Sequence, residues 1–290
     1  MKTDHVSTSN EVSLDDRTMK PVKYQSNPFY LCFEMFNTFF EKNTWWAVAL
    51  LISGLLSAFV STAGNFLSSL SDMSSQPVQA ATINEFTSAD GFTGIGLIFV
   101  IAISLILLVL IITTTILQVF IGNVFQYVAL RNNDRHSVGL NEAFSAVWKR
   151  FPRLLLAQFL ALLKIIAWSF LLIIPGIIAA YRYSLLAYVI LDESETKKGI
   201  SDSHERTKAL IAGRKREAFG VSTVAGLLPI VGPLNQVMGS SRLYRQLQVF
   251  HDGKLQKPPV HWLNYLGFIL VAFFGTIALI GLILIVSTQL

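Results

Sequence analysis

The sequence predicts an all-α protein, a polytopic helical membrane bundle with interfacial amphipathic helices and hairpins hinged at proline and glycine. Three observations carry that reading. Of the 290 residues, 52% are hydrophobic and 14% charged, whereas a soluble domain carries about 25% charged residues. Apolar runs long enough for the roughly 30 Å hydrocarbon core of a bilayer recur along the chain. The Lys and Arg residues behind the net charge of +5 sit in short polar segments beside those runs. That is the pattern that orients a membrane protein, not a basic face for nucleic acid.

Residues 1–27 are polar, with Asp4, Glu11, Asp15, Asp16, Arg17 and Lys20, and lack the apolar core of a secretory signal. A disordered cytoplasmic tail is expected there, and one membrane domain over 28–290. Phe29, Phe33, Phe36 and Phe40 step by four, three and four, which is one face of a helix. Glu34, Asn37 and Glu41 lie opposite, so the spacing predicts an amphipathic helix lying in the interface. Cys32, the single cysteine, reads as a small apolar residue beside Phe33 and Phe36, and excludes an intrachain disulfide or a multi-cysteine metal site.

Trp45 and Trp46 mark the headgroup level at the start of a first span, 45–66. Ser53, Ser57 and Ser61, and likewise Gly54, Ala58 and Thr62, repeat every fourth residue. Such small-residue stripes let helix backbones approach, within the chain or in a homodimer. Residues 70–93 contain Asp72, Glu85 and Asp90 but no Lys or Arg, as expected of an extracytoplasmic loop. A second span, 94–117, continues its apolar pattern to Leu130. The excess carries Gln118, Asn123 and Gln126, either as a helical extension past the cytoplasmic face or as amides facing other helices.

Residues 131–153 form a basic connector with helix-like apolar spacing at Leu140, Phe144, Val147 and Phe151, expected along the inner surface. It leads into the central hairpin, with arms at 154–174 and 177–192 hinged at Pro175 and Gly176. Lys149, Arg150 and Arg153 precede the hairpin, and Lys197 and Lys198 follow it, so both ends belong on the cytoplasmic side. A short surface helix is expected over 199–213, with Ile200, Thr207, Leu210 and Ile211 on one face and His204 and Glu205 in solvent. Gly213 fits a helix stop, and Arg214, Lys215 and Arg216 follow at headgroup depth.

Residues 219–241 contain Pro229 and Pro233 and read either as one crossing or as a short re-entrant pair. The pair is preferred because, of the 23 Lys and Arg, it leaves all on the cytoplasmic side except Lys164 and Arg182, which lie inside spans. A re-entrant pair buried within protein is physically allowed. The last span, 262–286, then carries the C-terminus outside.

The five histidines form no paired metal spacing, and no nucleophile elbow, phosphate loop or dinucleotide fingerprint occurs. No catalytic residue, metal site or cofactor is predicted. The informative residues are Lys164 and Arg182, ionisable groups at membrane depth that cost about 2.5–3.5 kcal/mol each. They snorkel and bond locally, or form a cationic pocket for a phosphate or an anionic lipid head, or line a path for a small anion.

Three stretches, LNEAFSAVWKRFPRLL (140–155), LLIIPGIIAAYRYSLLAYVILDE (171–193) and GRKREAFG (213–220), with LYRQL (243–247) after them, resemble a known group. The chain is similar to the membrane domain of bacterial glycerophosphoryl diester phosphodiesterases and to the related uncharacterised YciC-like multi-spanning membrane proteins. The likeness spans roughly residues 94–250. It implies a helical membrane protein of the bacterial inner membrane without an established activity, and a pair of helices at 219–247 that returns to the cytoplasm. That pair is unusually short here. No phosphodiesterase catalytic domain is attached, so that activity is not carried over.

The resulting expectation is a non-enzymatic, multi-pass protein of the bacterial inner (cytoplasmic) membrane, N-terminus cytoplasmic, that serves lipid or envelope homeostasis. It would contact membrane phospholipids through Lys164, Arg182, Arg214, Lys215 and Arg216. A small-solute or anion transporter, and a scaffold for partner proteins or a homo-oligomer, are the alternatives.

Overall fold

The computed structural model describes residues 24–34, 36–55, 94–192, 199–228, 230–253 and 258–289, and among these the regular structure is helical throughout. In chain order the helices are α1 (Pro28–Phe33), α2 (Phe36–Lys42), α3 (Thr44–Leu55), α4 (Gly94–Asn133), α5 (Leu140–Leu171), α6 (Ile173–Tyr183), α7 (Leu186–Leu191), α8 (Ile200–Ile211), α9 (Lys215–Gly226), α10 (Gly232–Asp252) and α11 (Leu266–Gln289). A 3-10 turn, Trp262–Tyr265, leads into α11. Three stretches are long and apolar enough to cross a membrane: Ile101–Asn133, Leu140–Leu171 and Ile174–Leu191.

Helix α4 shows how the chain is organised. Its 40 residues make a rod about 60 Å long at 1.5 Å per residue. From Ile101 to Leu117 the side chains described are exposed, whereas Phe120, Val124, Tyr127, Val128 and Leu130 are buried. Helix α5 divides in the opposite chain direction: Ala143, Val147, Leu154, Ala157 and Ala161 are buried, and Phe159, Leu162, Trp168 and Phe170 are exposed. The inner half of each helix therefore belongs to a packed helical body, and the outer half presents apolar surface. Asn123, in the packed half of α4, exchanges hydrogen bonds with Gln158 of α5, so this amide faces a neighbouring helix.

The body is centred on α7, all six residues of which are buried. Around it pack the inner parts of α4 and α5 and the surface helix α8, and Tyr188 joins it to the long helix α10 through Val237 O and the Tyr244 ring. Asp192, at the end of α7, is 4% exposed and accepts hydrogen bonds from Tyr244 Oη (2.9 Å), Arg245 Nη1 (2.8 Å) and Gln248 Nε2 (3.0 Å). Arg245 also reaches Asp134 at 2.7 Å. Buried charge persists where it is paired and its remaining hydrogen-bonding capacity is met, and this node ties the ends of α4 and α7 to α10.

Several sequence expectations are corrected. The central reversal falls at Leu172, whose extended backbone (φ −161°, ψ 142°) separates α5 from α6; Pro175 and Gly176 lie in the first turn of α6. Pro233 likewise stands in the first turn of α10, while Pro229 lies outside the described residues. Proline lacks an N–H, and the first turn of a helix is where that N–H would have no partner. Both prolines thus open the returning helix instead of forming the apex. Gly176 is required by proximity: a Cβ there would lie 2.9 Å from Ser169 Cα.

The basic connector is not a separate surface helix. Residues 140–153 are the first four turns of α5, which runs continuously through Pro152. The packed body begins before residue 28, because Tyr24 and Ser26 are both buried. The phenylalanine helix is two short helices, α1 and α2, whose buried side chains include Leu31, Cys32 and Phe39. Phe29 and Phe33 remain exposed. Trp45 is 83% exposed, as an interfacial anchor would be, but Trp46 is buried and donates to Val138 O at 3.0 Å. The second half of the first span, with Ser57, Ala58, Ser61 and Thr62, and the loop 70–93 lie outside the described residues; Gly54 is described and packs against the backbone of Ile230. Helices α9 and α10 pack against each other, with the reversal between Gly226 and Gly232, so 219–241 forms a helical pair.

Candidate functional site

Lys164 projects from α5 in the exposed apolar region. Its ammonium lies 5.7 Å from the centre of the Tyr183 ring, and among the described residues no carboxylate pairs with it. Tyr183, the last residue of α6, also meets the His204 ring edge to face at 5.1 Å. His204 is 3% exposed; its Nε2 pairs with Ala157 O at 3.2 Å, and its Nδ1 has no partner among the described residues. Burial, followed by the nearby Lys164 ammonium, holds the imidazole below the usual histidine range. His204 is therefore not a solvated residue. Its position, four residues past Ile200 and three before Thr207, puts it on the buried face, and that register was the signal for it.

Tyr183 also walls a cavity of about 260 Å³ among α4, α5 and the α6–α7 segment. Leu162, Ile165, Ala180 and Ala187 supply apolar walls, and Gln126, Gln158 and Ser184 the polar lining. Gln158 is committed to Asn123 at 3.0 Å, but Gln126 Oε1 is buried without a partner among the described residues. Unsatisfied buried acceptors are rare because each forfeits its hydration.

The structure does not bring Lys164 and Arg182 to one groove. Arg182 is exposed and has no acidic partner among the described residues. At about 100° per residue it falls on the side of α6 away from Ala180, which lines the cavity. The basic trio after Gly213 is also divided. Arg214 is 8% exposed; it donates to Glu217 Oε1 at 2.7 Å and to Pro258 O, and lies over the Tyr24 ring. It is an internal ion-pair residue, not a headgroup contact. Arg216 is exposed, hydrogen-bonded to Tyr265 Oη and stacked over that ring at 5.1 Å, and Lys215 is half-buried.

Glu217 is fully buried and was not singled out by the sequence. It accepts from Tyr24 Oη (2.5 Å), Ser26 Oγ (2.8 Å) and Arg214. Burial and the adjacent carboxylate push the Tyr24 phenol above its ordinary range. Ser26 Oγ accepts in turn from His261 N, and Ser26 O from Asn264 Nδ2. This cluster fastens residues 24–26 to the turn before α11. Except for Asn264 Oδ1, which is buried without a partner among the described residues, its polar groups bond to one another or to neighbouring backbone, so it reads as a clamp.

No family model, curated protein or solved structure matches the chain.

Proposed function

We propose that the protein is a multi-spanning membrane protein of a bacterial cytoplasmic membrane, without catalytic activity, that contacts anionic phospholipid and serves lipid or envelope homeostasis. The observation that carries this reading is Lys164. A cation at such depth costs about 2.5–3.5 kcal/mol, and a ring contact like that with Tyr183 returns about 0.5–2 kcal/mol. With no acid beside it among the described residues, a lipid phosphate is the natural counter-charge.

The surroundings support the same reading. Exposed Trp45, Trp148 and Trp262 suit an aromatic belt, and Arg216 over Tyr265 places a cation beside it. The body would rest at the cytoplasmic face, with α1 and α2 in the interface and the α9–α10 pair re-entering from that side. The likeness to the phosphodiesterase membrane domain and the YciC-like proteins belongs to this same proposal. The contact residues in it are Lys164, Arg182, Lys215 and Arg216; Arg214, committed to Glu217, leaves the set.

The test is native mass spectrometry of the purified protein, wild type and Lys164→Ala/Arg182→Ala. Retained anionic lipid that is lost in the double variant supports the proposal. Equal lipid in both, or none in either, overturns it and favours transport or scaffolding.

A further inference from the structure

We infer that the cavity beside Tyr183 is a headgroup-reading site that takes a phosphate ester whose distal group donates a hydrogen bond, with the phosphate at Lys164 and the donor at Gln126. This rests on the lipid-contact proposal and deepens it, from a surface that attracts lipid phosphate to a pocket that distinguishes between phosphate-bearing headgroups.

Two independent observations meet there. The first is a buried acceptor without a partner among the described residues, Oε1 of Gln126, a residue that lines the cavity. Asn123 Nδ2 spends both its N–H groups on Val119 O and Gln158 Oε1, and Gln158 Nε2 donates to Asn123 Oδ1. An occupant that brings a donor would satisfy the Gln126 amide once its side chain turns toward the cavity. The second is the Lys164 ammonium, 5.7 Å from the centre of the Tyr183 ring that lines the cavity and without a carboxylate partner among the described residues, which asks for an anion.

Size narrows the class. A pocket for a whole drug-sized ligand runs from about 300 to 1,000 Å³, so 260 Å³ holds a polar head and not acyl chains. The chains would lie along the exposed apolar faces of α4 and α5, where Ile116, Leu162 and Leu163 are uncovered. A glycerol or ethanolamine head has both the phosphate and the donor. Phosphatidic acid has the phosphate alone.

The experiment offers phosphatidylglycerol, phosphatidylethanolamine and phosphatidic acid of one acyl composition to the detergent-purified full chain, and reads bound lipid by native mass spectrometry. The wild type is expected to retain the two donor-bearing lipids at least fivefold over phosphatidic acid. Gln126→Leu should erase that preference while still retaining lipid, and Lys164→Ala should lower all three. Ala161→Leu, which narrows the cavity from its α5 wall, should also erase the preference; a melting temperature for each variant guards against misfolding. If the wild type shows no headgroup preference, or Gln126→Leu and Ala161→Leu keep it, the pocket inference fails while a loss in Lys164→Ala leaves the lipid proposal standing. If Lys164→Ala also binds as wild type, both fail. Soluble glycerol phosphate displacing the lipids at equal concentration would assign the site to a free phosphate ester and overturn the membrane-lipid source.

Discussion

Glu217, itself without exposure to solvent, holds the hydroxyl of Tyr24 at 2.5 Å across 193 positions of sequence. The same carboxylate faces Arg214 at 2.7 Å. Removing one member of a buried pair leaves an uncompensated charge, which costs about 3–5 kcal/mol. Glu217→Ala should therefore lower stability by that order and free residues 24–26 for proteolysis. Arg214→Leu/Glu217→Leu should recover most of the loss. Thermal unfolding in detergent with limited trypsin digestion checks both.

Arg245 bridges Asp134 and Asp192 at 2.7 and 2.8 Å. Its side chain is 18% exposed, so screening reduces the effect, and Arg245→Met should cost about 2–3 kcal/mol. The loss should show as earlier separation of α10 from α4 and α7, read as faster amide exchange over residues 243–248.

Cys32 is fully buried and burial alone pushes its thiol up to about 12. The thiolate is the reactive form, so a maleimide at neutral pH should leave the folded protein unlabelled over hours and label it fully after denaturation. Fast labelling of the folded protein would contradict the packing of α1 against α10 that Gly239, next to Cys32 Sγ, allows.

His204 gives a pH dependence with a definite sign. Its folded value lies below its unfolded value of about 6.5, because burial and then Lys164, with Lys208 adding to them, oppose its charge. The unfolded chain then binds the extra proton, so stability is fully present above about pH 6.5 and is lost as pH falls toward the folded value. A melting temperature measured from pH 8 to 5 should decline across that window, and His204→Gln, which keeps a donor for Ala157 O, should flatten it.

The α9–α10 reversal keeps Arg242 and Arg245 on the side of Arg214. In the proposed topology α11 (Leu266–Gln289) makes one further crossing, so a reporter fused after Leu290 should read extracytoplasmic. A cytoplasmic reading would mean that residues 219–241 cross.

What the sequence made legible was whatever rests on local pattern. Helical class, three apolar stretches long enough to cross a membrane, the central hairpin and the inward role of Asn123 as an alternative all follow from periodicity and length. The apices lie elsewhere because Pro175 and Pro233, turn formers by composition, physically suit a helix start. Arg214 and His204 differ from expectation for another reason. A charged or polar residue on a short helix resembles a solvated one until its partners are known, and Glu217, Tyr24 and Ala157 are 3, 190 and 47 positions away. The cavity was out of reach altogether, because it is the space left between three helices.

The Tyr24 clamp also sets an order of events in biosynthesis. Glu217 and Asn264 emerge from the ribosome long after Tyr24 and Ser26. At about 5–20 residues per second, the 193 positions to Glu217 take about 10–40 s. Throughout that interval residues 24–26 have nothing to close upon, so a chaperone or insertase that engages the early chain meets them undocked. Closure of the clamp is then a late event, and a chain whose α9 is inserted wrongly would display it still open.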